Sequence, residues 1–266
     1  MMKKLYMLMT LLLTGTQLFS QPEKGALIPV TTNSKSALSY YNKAMKSFDD
    51  VKVKEALETF EKALDQDEDF FMANYQLAFY FILNQDGDNF DKYAKAAINC
   101  KAKLSDAEDL LKEAIVRLQQ GNTSLTDLGK KLVDLYPHDP NSYNNLISFQ
   151  SLAGDSTGMV ETLNKAIKIA AHPATFYNQL GYAYLTLKQT EKAEAAFNKY
   201  IELEPKNPNV YDSKGDYFMY IKKYDKAYES YMLANSMDPS FSHEKAELAK
   251  QLYERTEGKE LKIITM

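Results

Sequence analysis

Residues 174–207 read ATFYNQLGYAYLTLKQTEKAEAAFNKYIELEPKN, and residues 208–241 read PNVYDSKGDYFMYIKKYDKAYESYMLANSMDPSF. The two blocks have equal length and equal punctuation. Tyr177, Gly181, Tyr184, Ala193, Phe197, Tyr200 and Pro205 in the first answer Tyr211, Gly215, Phe218, Ala227, Tyr231, Ala234 and Pro239 in the second. A period of 34 residues is one supersecondary unit that cannot bury its apolar face alone, so neighbouring units must stack into a continuous core.

Within a block the apolar residues recur at helical spacing in two runs of about 13–15 residues joined by a short turn, which predicts a pair of antiparallel helices. Gly181, Ala183 and Ala193 let the two backbones approach, and rings at Tyr177, Tyr184 and Phe197 fill the spaces between pairs. Pro205 and Pro239 stop the second helix. Composition agrees. Only 10 glycines and 8 prolines in 266 residues suit helices rather than turn-rich sheets, and 45% hydrophobic with 26% charged residues describes a chain that folds. The 32 Tyr and Phe residues, with no Trp, supply the rings that such packing needs.

The run Tyr-x2-Leu-Gly-x2-Tyr at 177–184, followed by Ala193, Phe197, Tyr200 and Pro205, resembles the tetratricopeptide repeat. Laid backwards, the 34-residue frame gives earlier blocks at about 37–70, 71–104, 105–138 and 140–173. The resemblance implies an all-α, right-handed α-solenoid of about six antiparallel helix pairs. Blocks one and four carry good matches, such as Tyr41, Phe60 and Ala63, and Tyr143, Leu146, Gly154 and Ala166. Blocks two and three are partial. Block two turns at Asn84-Gln85-Asp86-Gly87-Asp88. Block three opens on Ser105-Asp106, a helix cap, and carries Gly129 where other blocks place a larger apolar residue, which predicts locally widened or bent packing. Residues 242–257 form an amphipathic capping helix with Leu248, Leu252 and Tyr253 on its apolar side, and 258–266 form a tail.

Residues 1–20 read as a signal peptide: Lys3 and Lys4, an apolar run from Leu5 to Leu13, and Ser20 before Gln21. The run is shorter than a bilayer requires, so no membrane span is expected after its removal. The chain is expected to be exported, to the periplasm or beyond the cell. Loss of the two lysines moves formal charge from −4 to about −6. Residues 21–36, with Pro22, Gly25 and Pro29, form a linker or extended arm whose Leu27, Ile28 and Val30 are placed to tuck against the first helix. Cys100 is the one cysteine, so no internal disulfide exists, and its setting in AAINC marks a buried thiol. The mildly acidic balance offers no basic stripe for nucleic acid.

No Gly-rich phosphate loop, nucleophile elbow or zinc motif occurs, and His138, His172 and His243 have no second ligand at metal spacing. No cofactor, metal or catalytic role is expected. In the family that the blocks resemble, the first helices line the concave face. By position this puts Asn144, Ser148, Asn178, Tyr182, Asp212, Asp216 and Tyr220 in a groove. The family's carboxylate clamp needs Lys and Asn, whereas Asn and Asp stand here, so a basic or amide-rich protein segment is the expected partner. The expectation is a non-catalytic interaction scaffold. Two alternatives stay open: an assembly component of an envelope complex using convex or edge surfaces, and an enzyme or enzyme regulatory subunit.

Overall fold

A computed structural model describes residues 27–261. The signal segment at 1–20, the first part of the arm and the last five residues of the tail lie outside the described residues. The expected all-α solenoid is what the chain forms. Its helices are α1 (Lys35–Asp49), α2 (Val53–Gln66), α3 (Phe71–Leu83), α4 (Gly87–Ile98), α5 (Asp106–Gln119), α6 (Thr126–Leu135), α7 (Pro140–Leu152), α8 (Ser156–Ile169), α9 (Ala174–Thr186), α10 (Thr190–Leu203), α11 (Pro208–Tyr220), α12 (Tyr224–Met237) and α13 (His243–Glu257).

Local chemistry sets many of these boundaries. Ser34, Asp86, Asp139, Asp155 and Asn207 each accept a hydrogen bond from a first-turn amide, and Pro140 and Pro208 begin α7 and α11. The Ser34 cap starts α1 at Lys35, inside the span first assigned to the arm. Ser105 and Glu108 form a reciprocal capping box on α5. Every turn inside a pair contains one left-handed residue: Val51, Gln85, Gly121, Gly154, Lys188 and Lys222. The turn of block two therefore pivots on Gln85, and Gly87 is already the first residue of α4.

Glycine permits close approach where the pairs need it. A Cβ on Gly181 would lie 2.6 Å from the Phe197 ring, and one on Gly215 would collide with the Tyr231 ring. Gly129 acts in the same way. A Cβ there would stand 2.8 Å from the Leu146 Cα, so this glycine draws α6 tightly onto α7 instead of widening the packing.

Two first helices pack directly on the first helix of the next pair, α3 on α5 and α9 on α11. At the N-terminal end the array is tight enough for α3 to reach α7. The Tyr75 hydroxyl donates to Asn145 Oδ1 (2.5 Å), and the Phe79 and Phe149 rings lie 5.5 Å apart. As a result Phe71, Met72, Ala73, Asn74, Tyr75, Leu77, Ala78 and Phe79 are all buried, and one apolar cluster runs from Ile28 to Phe149. The C-terminal half holds four smaller clusters. The α1–α2 turn, through Asp50 and Lys52, shares an open cleft with the α10–α11 linker at Leu203–Pro208.

The cap α13 packs on α12. Its buried face is Ala246 and Ala249, set against Tyr228 and Tyr231. Leu248 is 50% exposed, so the face first assigned to this helix is wrong at that position. The large rings of this interface come from α12 and the buried α13 side chains that meet them are alanines. The arm also departs from expectation. Ile28 is buried and Val30 half-buried, but Leu27 is exposed, and the arm's polar contacts reach α5 and the start of α7 rather than α1 alone. No described helix is long and apolar enough to cross a membrane.

Candidate functional site

The residues singled out on α9 and α11 converge with the start of α13. Tyr182 and Asp216 are 34 residues apart, so the repeat places them at equivalent points on successive first helices. There the Tyr182 hydroxyl donates to Asp216 Oδ2 (2.7 Å). Asp216 also accepts from the Tyr231 hydroxyl of α12 (2.6 Å at Oδ1), whose ring lies over Gly215. Asp212 sits one helical turn before Asp216, so both carboxylates face the same way. Like charges at this spacing repel.

Lys245 relieves that repulsion. Its ammonium lies 2.8 Å from Asp212 Oδ2 and 3.0 Å from Asp216 Oδ1, with the Tyr231 ring centroid at 5.5 Å. Ser242, left-handed at φ 62°, precedes α13 and donates its hydroxyl to Asp212 Oδ1. Partial burial pulls the Lys245 ammonium toward losing its proton. The hydrogen bond from Lys245 to Asp212 and the two carboxylate charges outweigh that pull and hold its pKa above the ordinary lysine value. Burial, followed by the adjacent Asp216, pushes the Tyr182 and Tyr231 hydroxyls well above the ordinary tyrosine value.

The acidic pair is therefore not a free surface, as the sequence reading took it to be. It already holds an ammonium from the same chain. Two carboxylates against one lysine still leave one negative charge, and Lys245 stays 45% exposed at its side chain. Next to this cluster in the repeat register is Asn178, 34 residues before Asp212, whose buried Oδ1 has no hydrogen-bond partner among the described residues. The remaining three residues stand apart. Asn144 and Ser148 are half-buried on α7, where the neighbouring Asn145 is the one that takes the Tyr75 hydroxyl. Tyr220 is 44% exposed at the end of α11. Sequence reasoning missed Lys245, Ser242 and Tyr231. The signal was available for the first two: one further step of 34 from Pro208 falls on Ser242, so α13 occupies the position of a seventh first helix.

Among the described residues no group of His, Cys, Asp and Glu is arranged to hold a metal ion. Cys100 is buried with its thiol against the Asp69 carbonyl, and burial pushes the thiol pKa up, which disfavours the reactive thiolate.

The tetratricopeptide repeat family model matches residues 174–207 and 208–241. Comparison with curated proteins finds no match. Among solved structures, similarity extends to a chain of the APC/C heterotetramer Cut9–Hcn1, at 20% identity and a TM-score of 0.48 over 83% of this chain, which spans 42% of that one. A thermophilic tetratricopeptide protein from Thermus thermophilus is similar at 16% identity and a TM-score of 0.48, over 81% of this chain and 98% of its own. The matched blocks are thus similar to tetratricopeptide repeats.

Proposed function

We propose that the chain is an exported, non-catalytic scaffold that binds a basic or amide-rich segment of another protein on the concave face of its first-helix layer, at α9 and α11. The observation that carries this reading is the lysine already seated between Asp212 and Asp216. The chain itself supplies an example of the chemistry the site accepts: an ammonium held by two carboxylates over a tyrosine ring. The residual negative charge and the unpartnered Asn178 Oδ1 favour further donors beside it. Tyr182 and Tyr220 add exposed ring surface of the kind that anchors a segment at small entropic cost. Export is supported by the charged start and apolar run of residues 1–20, and protein mass after export should show a chain beginning near Gln21.

The test is capture of partners from an envelope extract by the full chain and by an Asp212→Lys, Asp216→Lys variant. The reading expects a partner retained by the first and lost by the second. The same partner at the same yield from both would remove the acidic site from the account.

A further inference from the structure

The N-terminal arm is bound to the solenoid as a ligand would be. Its Ile28 N–H donates to Asp139 Oδ2 (2.7 Å) and its Thr31 N–H to Glu108 Oε1 (2.8 Å), while the Thr31 hydroxyl donates to Glu108 Oε2 (2.6 Å) and the Thr32 hydroxyl to Asp67 Oδ2 (2.5 Å). Glu108 and Asp139 are 0% and 1% exposed. Among the described residues neither carboxylate has a cationic partner. Their other bonds come from Ser105, through its N–H and hydroxyl, and from the Asn141 N–H. Buried carboxylates met by neutral donors form a site that reads peptide main chain, not a metal or a free cation.

The spacing supports this. The two donated amides are three residues apart, with Pro29 between them. An extended polyproline-type segment advances about 9 Å in three residues. That reach lets the Thr31 amide meet Glu108 on α5 and the Ile28 amide meet Asp139 at the start of α7. Among the described arm residues Ile28 is the one buried side chain, whereas Leu27, Pro29 and Asn33 are exposed.

We propose that the edge marked by Asp67, Glu108 and Asp139 is a second protein-binding site, distinct from the α9–α11 cluster. It recognises an extended partner segment with a buried aliphatic residue followed three positions later by Ser or Thr. Residues 27–34 are the resident copy of that segment, and the partner gains access by displacing them. A tether this short gives the arm an effective concentration in the millimolar range, so the resident copy competes strongly.

The experiment uses the full chain and a labelled, end-blocked peptide LIPVTTNS. An Ile28→Asp, Thr31→Pro variant releases the arm by removing its apolar anchor and one donated amide. With helical circular dichroism unchanged, the variant is expected to bind the peptide at least tenfold more tightly than the unaltered chain. LIPVPTNS, which lacks the Thr31 amide, should not bind. Equal binding by both chains, or no binding to the variant, overturns the proposal. So does a concentration-dependent dimer of the unaltered chain, which would assign the edge to the arm of a second copy. Amide exchange in the unaltered chain tests the same point without a variant. Ile28 and Thr31 should be protected yet exchange faster than the core amides of α3. Exchange at the unprotected rate, or only with global unfolding, contradicts a displaceable ligand.

Discussion

At the residue scale Asp216 is the most connected group of the candidate site, with two tyrosine hydroxyls and one ammonium on its carboxylate. Asp216→Ala leaves the buried Tyr231 hydroxyl without its acceptor and Lys245 with one partner. We expect a loss of about 1.5–3 kcal/mol in urea unfolding. Lys245→Met removes a half-exposed partner and leaves the two carboxylates facing each other, and a loss of about 1 kcal/mol is expected there. Two glycines provide the packing contrast. Gly215→Ala drives a methyl into the Tyr231 ring and should cost about 1–3 kcal/mol, net of any gain in helix propensity. Gly87→Ala meets nothing within 4 Å at the first position of α4 and should leave the urea midpoint unchanged or raise it. Gly181 and Gly215 were legible in the sequence because the repeat showed them twice, each one helix before an aromatic residue. Gly129 was misread because a single glycine without its repeat partner does not say which backbone it meets.

At the element scale the helix pairs were legible because each apolar stripe and most stops recur. The turns were less so. Their pivot is a left-handed residue set by backbone geometry, and four of the six are not glycine. Sequence reasoning follows glycine, which is why Gly87 drew attention that belonged to Gln85. An ordinary residue in this region costs about 1–2 kcal/mol relative to a right-handed conformation. Lys222 makes no ion pair among the described residues, so Lys222→Gly gives up little else. It is expected to raise the unfolding midpoint, by about 1 kcal/mol or less once unfolded-state entropy is counted. An unchanged or lower midpoint would show that the turn tolerates lysine without strain. The α13 face was misjudged because amphipathic spacing favours the larger Leu248, whereas the side chains that meet Tyr228 and Tyr231 are Ala246 and Ala249.

At the scale of the whole molecule, repeats fix which helices are neighbours but not how sharply the array turns. The α3–α7 contact through Tyr75 and Asn145 and the arm on Glu108 and Asp139 join residues 70 to 111 positions apart, and no periodic pattern announces them. The same tight packing buries many phenols. Burial pushes Tyr41 and Tyr217 up to about 12, and burial with the adjacent Asp216 raises Tyr231 further. A phenol raised in the folded chain loses its proton first in the unfolded one. Its contribution is therefore complete below about pH 10 and lost as pH climbs. The urea midpoint should fall steeply from about pH 10 upward, with phenolate absorbance appearing as the chain unfolds; a midpoint flat to about pH 12 would contradict this. The claim on which the functional account rests is that partners meet the first-helix layer near α9 and α11. Tyr220 on α11 and Leu233 on α12 are almost equally exposed, at 44% and 43%, and neither belongs to the Asp216 cluster. A photo-cross-linking residue placed at each position in the exported full chain measures which layer meets a partner. The account predicts a partner captured from Tyr220 and not from Leu233, and capture from Leu233 alone, or equally from both, would contradict it.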